Sequence, residues 1–310
     1  MVKYWLLVIC IFFVNLNIFS QKGNKEQPKS GTKDKTEFNP IQEMGSSRKY
    51  SLRDDYVWGI NTAFTTYHGA MDINVLSPLR YGLSEKVELN SNILMCIFSP
   101  NIFIKYQIKK GKVWIASRHG VYFPTMALKY LDSKGYITGI SDSTAIPFVG
   151  DLRNELILSY PFFDKTSCNS TQPYLILSFL GGVDFGMSSS PYNPTSLTKP
   201  WLVSRMSAIS GNGFMTRILG RVDYMYYNTI KLEGEIAVIN DNFTNKWGFE
   251  NRGTAKFFLY QNLSVSVGWL FAKSTSYSQP KYGIMPFLDL SLYLGTKQNK
   301  MKGLWNKKMY

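Results

Sequence analysis

The stretch 262–273, with the sequence NLSVSVGWLFAK, alternates large apolar residues with small or polar ones. Side chains of a β-strand point alternately to its two sides, so a period of two predicts a strand with two unlike faces. Here one face carries Leu263, Val265, Val267, Trp269 and Phe271. The other face carries Ser264, Ser266, Gly268 and Ala272.

The same alternation recurs in 216–226, 229–239 and 283–295, and turn residues separate these segments, as at Asn228 and at 261–262. After the N-terminal region, no segment has the roughly 20 consecutive apolar residues of a membrane-spanning helix. The sequence therefore predicts an all-β protein and excludes a helical membrane protein.

Two all-β architectures fit this pattern: a soluble sandwich and a transmembrane barrel. Sandwich strands run to about five or six residues, whereas these segments reach about ten, the length that crosses a bilayer at a tilt. Full charges lie on the polar face, and aromatic residues such as Trp58, Tyr122, Trp247 and Tyr260 gather near strand ends. Both features favour a transmembrane antiparallel up-and-down β-barrel.

Counting the alternating segments predicts the size of the barrel. Thirteen are candidates: 57–66, 70–82, 86–95, 101–109, 112–122, 153–162, 172–187, 200–209, 214–227, 229–239, 247–260, 262–273 and 282–295. Bacterial single-chain barrels have even strand numbers, and 200–209 is the weakest candidate. We predict 12 strands, with 14 as the alternative, and extracellular loops at 123–152 and 188–199.

The N-terminus has the pattern of a secretory signal: Lys3, an apolar run from Tyr4 to Phe19, and small Ser20 before a polar stretch. A signal anchor is the alternative, but two asparagines weaken the run as a membrane span. We predict a signal peptide over 1–20 cleaved near Ser20, a polar flexible linker over 21–50, a barrel over 51–296 and a basic tail over 297–310. Cys96 and Cys168 then remain, either as thiols or as a pair.

The net charge of +14, from 35 Lys and Arg against 21 Asp and Glu in 310 residues, lies mostly outside the predicted barrel. Lys3 lies in the leader, 22–50 holds seven basic and four acidic residues, and 297–310 holds five basic and none acidic. The remaining 22 basic and 17 acidic residues leave 51–296 with a surplus of only five. A nucleic-acid partner is therefore not predicted.

Short motifs give a family resemblance. Residues 79–89, LRYGLSEKVEL, resemble the strand–turn–strand element of many bacterial outer-membrane barrels, and 260–265, YQNLSV, looks like a second such hairpin. Phe19-Ser20-Gln21 is similar to the signal-peptide exit common in Bacteroidota. The resemblance implies a Gram-negative outer-membrane protein, and it names no substrate. A basic extension after the last strand departs from barrels that end on an aromatic residue.

If the apolar positions face lipid, the opposite positions face the lumen. The predicted lumen-facing charges balance at eight basic and nine acidic residues, which indicates pairs that neutralise one another more than an ion-selective pore. They are Asp72, Arg80, Glu88, Lys105, Arg118, Glu155, Asp184, Arg217, Arg221, Asp223, Lys231, Glu233, Glu235, Glu250, Arg252, Lys256 and Asp289.

Three functions follow as hypotheses. The first is a structural or partner-binding subunit of an envelope assembly, which contacts outer-membrane lipid and another envelope protein through its loops or tails. The second is a narrow, porin-like passive channel for small solutes. The third is a lipid-modifying barrel enzyme or a transporter of hydrophobic substrates. Such a transporter would need an N-terminal plug, and 22–50 is too polar to form one.

Catalysis is not expected from the sequence. The only histidines, His68 and His119, are predicted in a turn and on the lipid side, and neither stands in a recognised lipase motif. No serine can be assigned a base within hydrogen-bond reach. The prediction is therefore no enzyme, no catalytic residue, no metal site and no cofactor.

Overall fold

The computed structural model describes residues 58–134, 137–138, 146–163, 173–190, 196–197, 212–226, 229–241, 246–260, 262–274 and 281–294. The predicted domain boundaries near 20, 50 and 296, and the predicted strand 200–209, lie outside these residues. The boundaries stay predictions.

Almost all of the described chain is β-strand. In chain order the strands are β1 (Met71–Asn74), β2 (Leu79–Gly82), β3 (Val87–Ser91), β4 (Asn101–Lys109), β5 (Trp114–Tyr122), β6 (Ile137–Thr138), β7 (Val149–Phe163), β8 (Pro173–Ser188), β9 (Ser196–Leu197), β10 (Asn212–Tyr226), β11 (Ile230–Asp241), β12 (Lys246–Tyr260), β13 (Leu263–Ser274) and β14 (Lys281–Leu294). Two helices are described, α1 (Ile93–Cys96) and α2 (Thr125–Ser133). Neither has the length and apolar character that a membrane crossing requires.

Twelve strands close into one antiparallel barrel, which confirms the predicted fold class. Each barrel strand pairs with the next barrel strand along the chain, and β1 pairs with β14 to close the ring. This is an up-and-down topology, in which every central strand has hydrogen-bonded neighbours on both sides. The two short strands β6 and β9 form a separate sheet.

Strand β11 shows why the alternating sequence forms this wall. Lys231, Glu235 and Ala237 are buried, while Leu232 and Ile236 between them are exposed. In a closed barrel the buried parity points to the interior, so charges lie inside and aliphatic side chains cover the outside. An apolar exterior around a polar interior is the arrangement of a barrel that lies in lipid.

Two predicted strands are wrong in detail, although the total is right. Residues 58–66 form no strand, because the Thr62 amide and hydroxyl both donate to the Gly59 carbonyl and turn the chain. The predicted strand 70–82 is two strands, β1 and β2, separated by 75–78. Pro78 lacks a backbone N–H and restricts Ser77, which interrupts the ladder at this point.

The predicted loops also differ from the structure. Strand β7 begins at Val149, so the predicted loop 123–152 ends earlier, and it contains α2. Predicted strand 86–95 ends at Ser91 and continues into α1, whose first turn is capped by the Asn92 side chain. Trp58 and Tyr122 are buried within the protein and do not belong to an outer aromatic girdle.

The barrel wall has unequal height. Strands β1 and β2 have four residues each and β3 has five, and we call these three strands the low wall. Strands β7, β8 and β10 to β14 have 12 to 16 residues, and we call them the high wall. At roughly 3.3 Å per residue, a four-residue strand extends about 13 Å, whereas a bilayer crossing takes about 9–11 residues. The low wall is too short to cross a bilayer.

Asp289 on β14 caps the turn between β1 and β2, where the low wall ends. Its carboxylate accepts hydrogen bonds from the amides of Val75, Leu76 and Ser77, at 3.1, 2.9 and 3.0 Å. Asp289 is itself buried. One carboxylate therefore satisfies three successive backbone donors where the chain turns from β1 to β2.

We expect Asp289→Ala to lower the free energy of unfolding by about 2–4 kcal/mol, because it leaves the amides of Leu76 and Ser77 without their acceptor, whereas the Val75 amide still donates to the Leu290 carbonyl. Asp289→Asn, which keeps one acceptor oxygen, should lose less. Urea unfolding in lipid vesicles, followed by heat-modifiable gel mobility, measures the change. Leu288→Ala, on the outward face of the same strand, is the matched control; an equal loss in both variants would contradict the capping role.

Candidate functional site

The interior of the barrel is occupied by the chain that precedes β1. We call residues 58–67 the internal segment. Trp58, Thr62, Ala63, Phe64 and Thr65 in it are buried. From the sequence, 57–66 was predicted as a strand of the wall, and only 22–50 was considered as a plug and found too polar to form one. The segment that lies inside the barrel was therefore not predicted.

Side chains of the wall hold the internal segment mainly by its backbone. Lys105 donates to the carbonyls of Ile60 and Thr62 at 3.2 and 3.3 Å, and Gln107 donates to the carbonyl of Ala63 at 2.9 Å. A further donor, Arg80, contacts the carbonyl of Trp58. These donors are needed because the segment forms no ladder that would satisfy its own carbonyls.

Backbone donors of the segment are also paired. The Ala63 amide donates to the Ser159 hydroxyl at 2.8 Å, and the Thr66 amide donates to the Glu88 carboxylate at 2.6 Å. The Asn61 side chain donates to Glu235 at 3.0 Å and accepts from Arg118 at 2.9 Å. The segment therefore contacts β3, β4, β5, β7 and β11 around the ring.

One side of the internal segment is apolar and packs on an apolar patch of the inner wall. Phe64 lies 6.1 Å from Trp114, measured between ring centroids. Buried residues of this cluster come from the segment and from β5, β7, β8, β10 and β11; they are Trp58, Ala63, Phe64, Trp114, Ala116, Ile157, Ile176, Leu180, Leu219, Met225 and Ala237. The segment thus completes a hydrophobic core inside a barrel whose inner face is otherwise highly charged.

Gly59 lets the segment approach the wall closely. A Cβ at this position would lie 1.8 Å from a guanidinium nitrogen of Arg221. Arg221 cannot easily move aside, because its guanidinium bonds to Asp223, Glu233 and Glu235. Only glycine fits between the segment and this charge cluster.

The predicted lumen charges fall into three buried clusters and several separate sites. In the first cluster, Glu88 pairs with Arg80 at 2.7 Å and Lys105 at 3.1 Å. In the second, Glu155 pairs with Arg118 and Arg217. The third contains Arg221, Asp223, Lys231, Glu233 and Glu235, in which Lys231 lies 2.7 Å from Glu233 and 3.1 Å from Asp223.

The other predicted charges lie outside these clusters. Asp72 is buried on β1, and Asp289 caps the turn described above. Asp184 pairs with Arg153 at 2.6 Å. Lys256 donates to Ser291 and Tyr293 at 3.2 and 3.1 Å, and Glu250 and Arg252 are half-buried on β12. The part these residues play in function stays a prediction.

Sequence reasoning missed several residues of the interior. Arg153 has the same strand parity as Glu155, so the alternation indicated it, but 153 was taken as the first residue after a loop. Gln107 and Ser159 contact the internal segment, and no charge signalled them. These two residues were not identifiable without knowing that a segment lies inside the barrel.

The histidines lie where the sequence predicted them. His68 is exposed beside the turn before β3, with Nδ1 2.8 Å from the Leu83 carbonyl. His119 is exposed on β5, with Nδ1 2.8 Å from the Asn154 side chain. Ser266 and Ser291 are buried. Among the described residues no group of three or more His, Cys, Asp or Glu side chains is arranged to hold a metal ion.

We expect Glu88→Ala to lower the free energy of unfolding by about 3–5 kcal/mol, because it leaves two buried cations without their anion. It also removes the acceptor of the Thr66 amide. Urea unfolding in vesicles measures the effect. Glu85→Ala, an exposed glutamate of the same hairpin whose backbone carbonyl still accepts from Thr65, is the control; comparable losses would refute the role of burial.

The closed antiparallel barrel, apolar outside and charged inside, defines the class: a transmembrane β-barrel of the bacterial outer-membrane type. No family model matches the chain, and no curated protein matches it.

Solved structures with a similar fold are outer-membrane barrels. Two are structures of OmpT of Vibrio cholerae, one expressed in the outer membrane and one folded in vitro, with identities of 9% and 8% and TM-scores of 0.38 and 0.36. They cover 70% and 72% of this chain, which spans only 64% of each of them. The third is the COG4313 outer membrane channel from Pseudomonas putida F1, with 10% identity, a TM-score of 0.42, and coverage of 77% of this chain and 100% of that one.

One prediction from the sequence is corrected at this point. The chain was predicted not to be an enzyme; two of the similar barrels are structures of OmpT, and that prediction is withdrawn. The earlier argument considered only a serine or histidine mechanism in the linear sequence. The similarity to OmpT does not assign a reaction to this barrel.

Proposed function

We propose that the protein is a plugged outer-membrane barrel in which the internal segment closes the lumen and its displacement opens a passage for small solutes. The observation that carries the proposal is the network of wall donors, Lys105, Gln107, Arg118 and Arg80, on the backbone of residues 58–63. The segment is bound by side chains and forms no strand of the barrel, so it can leave without breaking the ring.

The route of displacement follows from the connections of the barrel. The internal segment joins β1 at the end of the barrel that carries the short turns 83–86, 110–113 and 261–262. In outer-membrane barrels the short turns are periplasmic and the longer loops extracellular. We therefore place the segment's exit on the periplasmic side, where the chain before residue 58 would follow it.

We expect Gly59→Val to increase conductance in planar bilayers several-fold over wild type, because its side chain cannot fit against Arg221. Gly220→Val is the matched control, since Gly220 is exposed on the outer face of β10 and has no atom within 4 Å of the added Cβ. Both variants must keep heat-modifiable mobility. A folded Gly59→Val barrel that conducts no more than wild type would contradict the proposal.

A reversible disulfide between the segment and the wall distinguishes displacement of the segment from a general loosening of the barrel. The pair Ala63→Cys and Ser159→Cys, with Cys96 and Cys168 replaced by serine, joins two positions whose amide and hydroxyl now lie 2.8 Å apart. Combined with Gly59→Val, the oxidised pair should abolish the extra conductance and the reduced pair should restore it. Equal conductance in both redox states would show that current does not follow the segment.

A second function, the structural or partner-binding subunit, is favoured by the pairing of the interior charges. Buried clusters such as Arg80–Glu88–Lys105 suit a barrel that stays closed and serves as an anchor. For this function we expect a fixed envelope partner to co-purify after gentle detergent extraction. A barrel that purifies without a partner, and whose conductance changes with the redox state of the 63–159 disulfide, would argue against the subunit.

The cellular setting belongs to the same proposal. We infer an outer-membrane protein of a Gram-negative bacterium of the Bacteroidota type, delivered by a signal peptide cleaved near Ser20. Its support is the apolar run from Tyr4 to Phe19 and the motif at 19–21. The N-terminal residue of the purified mature protein checks the cleavage; a start at Met1 would contradict it.

A further inference from the structure

The low wall leaves one flank of strand β14 without a partner strand. Residues Ser291–Leu294 pair with β1, but no described strand pairs with 281–289 on that flank. A nine-residue length of high wall therefore extends beyond a wall of four or five residues. The unequal heights leave this part of β14 without a described strand beside it above β1 to β3, and we call this region the lateral opening.

The rim of this opening is built to lie in an apolar environment. Its backbone groups are satisfied by side chains: Asp289 accepts from three amides of 75–77, and Asn101 donates to the Ser99 carbonyl and accepts from the Asn92 amide, both at 2.8 Å. Apolar side chains are exposed along it, namely Val75, Leu76, Met95, Ile97 and Phe98. Irregular chain at membrane depth needs such internal hydrogen bonds, because lipid offers none.

Behind the opening, the inner face of the high wall carries four apolar side chains, with Glu250 of β12 opposite one of them, Ala272. Met285 and Phe287 share the inward parity of the buried residues Asp289 and Ser291 on β14. Next to them on β13 lie Leu270 and Ala272, which are buried. Met285 is nevertheless 38% exposed, although it faces inward. We call this inner surface, formed by Leu270, Ala272, Met285 and Phe287, the upper chamber.

A cation lies at the edge of the upper chamber. The guanidinium carbon of Arg252 is 4.8 Å from the ring centroid of Phe287. Its Nε is buried and has no hydrogen-bond partner in the described structure. Arg252 lies opposite Glu235 of β11, whose carboxylate is already bonded by Arg221. The Nε of Arg252 is nevertheless an unused donor beside an apolar surface.

From this arrangement we infer that the upper chamber binds an amphiphile with one long apolar chain and a carboxylate head, which enters sideways from the membrane. The chain lies along Met285, Phe287 and Leu270, and the carboxylate accepts hydrogen bonds from Arg252. The apolar chain matches the apolar side chains of the rim and of the upper chamber, and the anionic head matches the unused Nε donor of Arg252. None of the four residues that define the upper chamber belongs to the internal segment, so the inference goes beyond the proposed passage.

The test uses a long-chain fatty acid with a diazirine near its apolar end, and the corresponding fatty alcohol as the control probe. The full-length mature barrel is reconstituted in phosphatidylcholine vesicles, irradiated and mapped by peptide mass spectrometry. Strand β14 supplies an internal control, because Ile284 and Leu288 face outward with exposures of 69% and 66%. Both probes should label these two residues.

We expect the acid probe to label Met285 and Phe287 as well. Arg252→Gln should reduce that labelling about tenfold, because it removes one charge-assisted hydrogen bond. The alcohol should label these two residues about as weakly as the acid does in Arg252→Gln. Ala272→Trp, which fills the chamber, should abolish inward labelling, and Leu288→Trp should not. Heat-modifiable mobility verifies that each variant is folded.

Two results would overturn the inference. Labelling confined to Ile284 and Leu288 would show that the wall is closed to lipid and that the probe reaches only the outer surface. Equal inward labelling by the acid and the alcohol, unaffected by Arg252→Gln, would show that the chamber accepts an apolar chain without recognising a carboxylate. Neither result bears on the conductance of Gly59→Val, so failure of this inference is distinguishable from failure of the proposed function.

Discussion

The interior of this barrel depends on one constraint: a charged or backbone polar group removed from water must find its partner within the protein. Glu88 illustrates it, because its one carboxylate pairs with both Arg80 and Lys105 and also accepts a hydrogen bond from the Thr66 amide. Arg221 does the same for three acidic residues of β10 and β11. The wall charges are therefore structural groups first, and any passage through the lumen must open between them.

The internal segment solves two problems at once. Its carbonyls accept the hydrogen bonds that Lys105 and Gln107 would otherwise lack, and its apolar side covers Trp114 and the inner aliphatic patch. Neither the segment nor the inner wall would be satisfied alone. Since the contacts are noncovalent and the segment is not part of the ring, the proposed displacement would exchange these interactions without breaking the barrel.

Unequal wall height divides this barrel into a lower part enclosed by all twelve strands and an upper part enclosed by the longer strands. Low in the barrel, all twelve strands surround the internal segment and the charge clusters. Higher up, only the longer strands continue, and β14 presents Met285 and Phe287 inward beside a free flank. The proposed passage along the axis and the inferred access from the side therefore depend on different parts of the fold: the first on the internal segment, and the second on where β1 to β3 end.

The sequence by itself determined the class, the strand count and the charged parity of the interior, because side-chain alternation is a local property of a strand. The same alternation misled at 57–66, where small and polar residues mimic a strand, and at 70–82, where Pro78 divides one apparent strand into two. Only the tertiary structure decided that 58–67 lies inside, that Gly59 fits against Arg221, and that Asp289 ends the low wall. Each of these depends on residues far apart in the chain, and the period of a strand carries no information about what lies across the barrel.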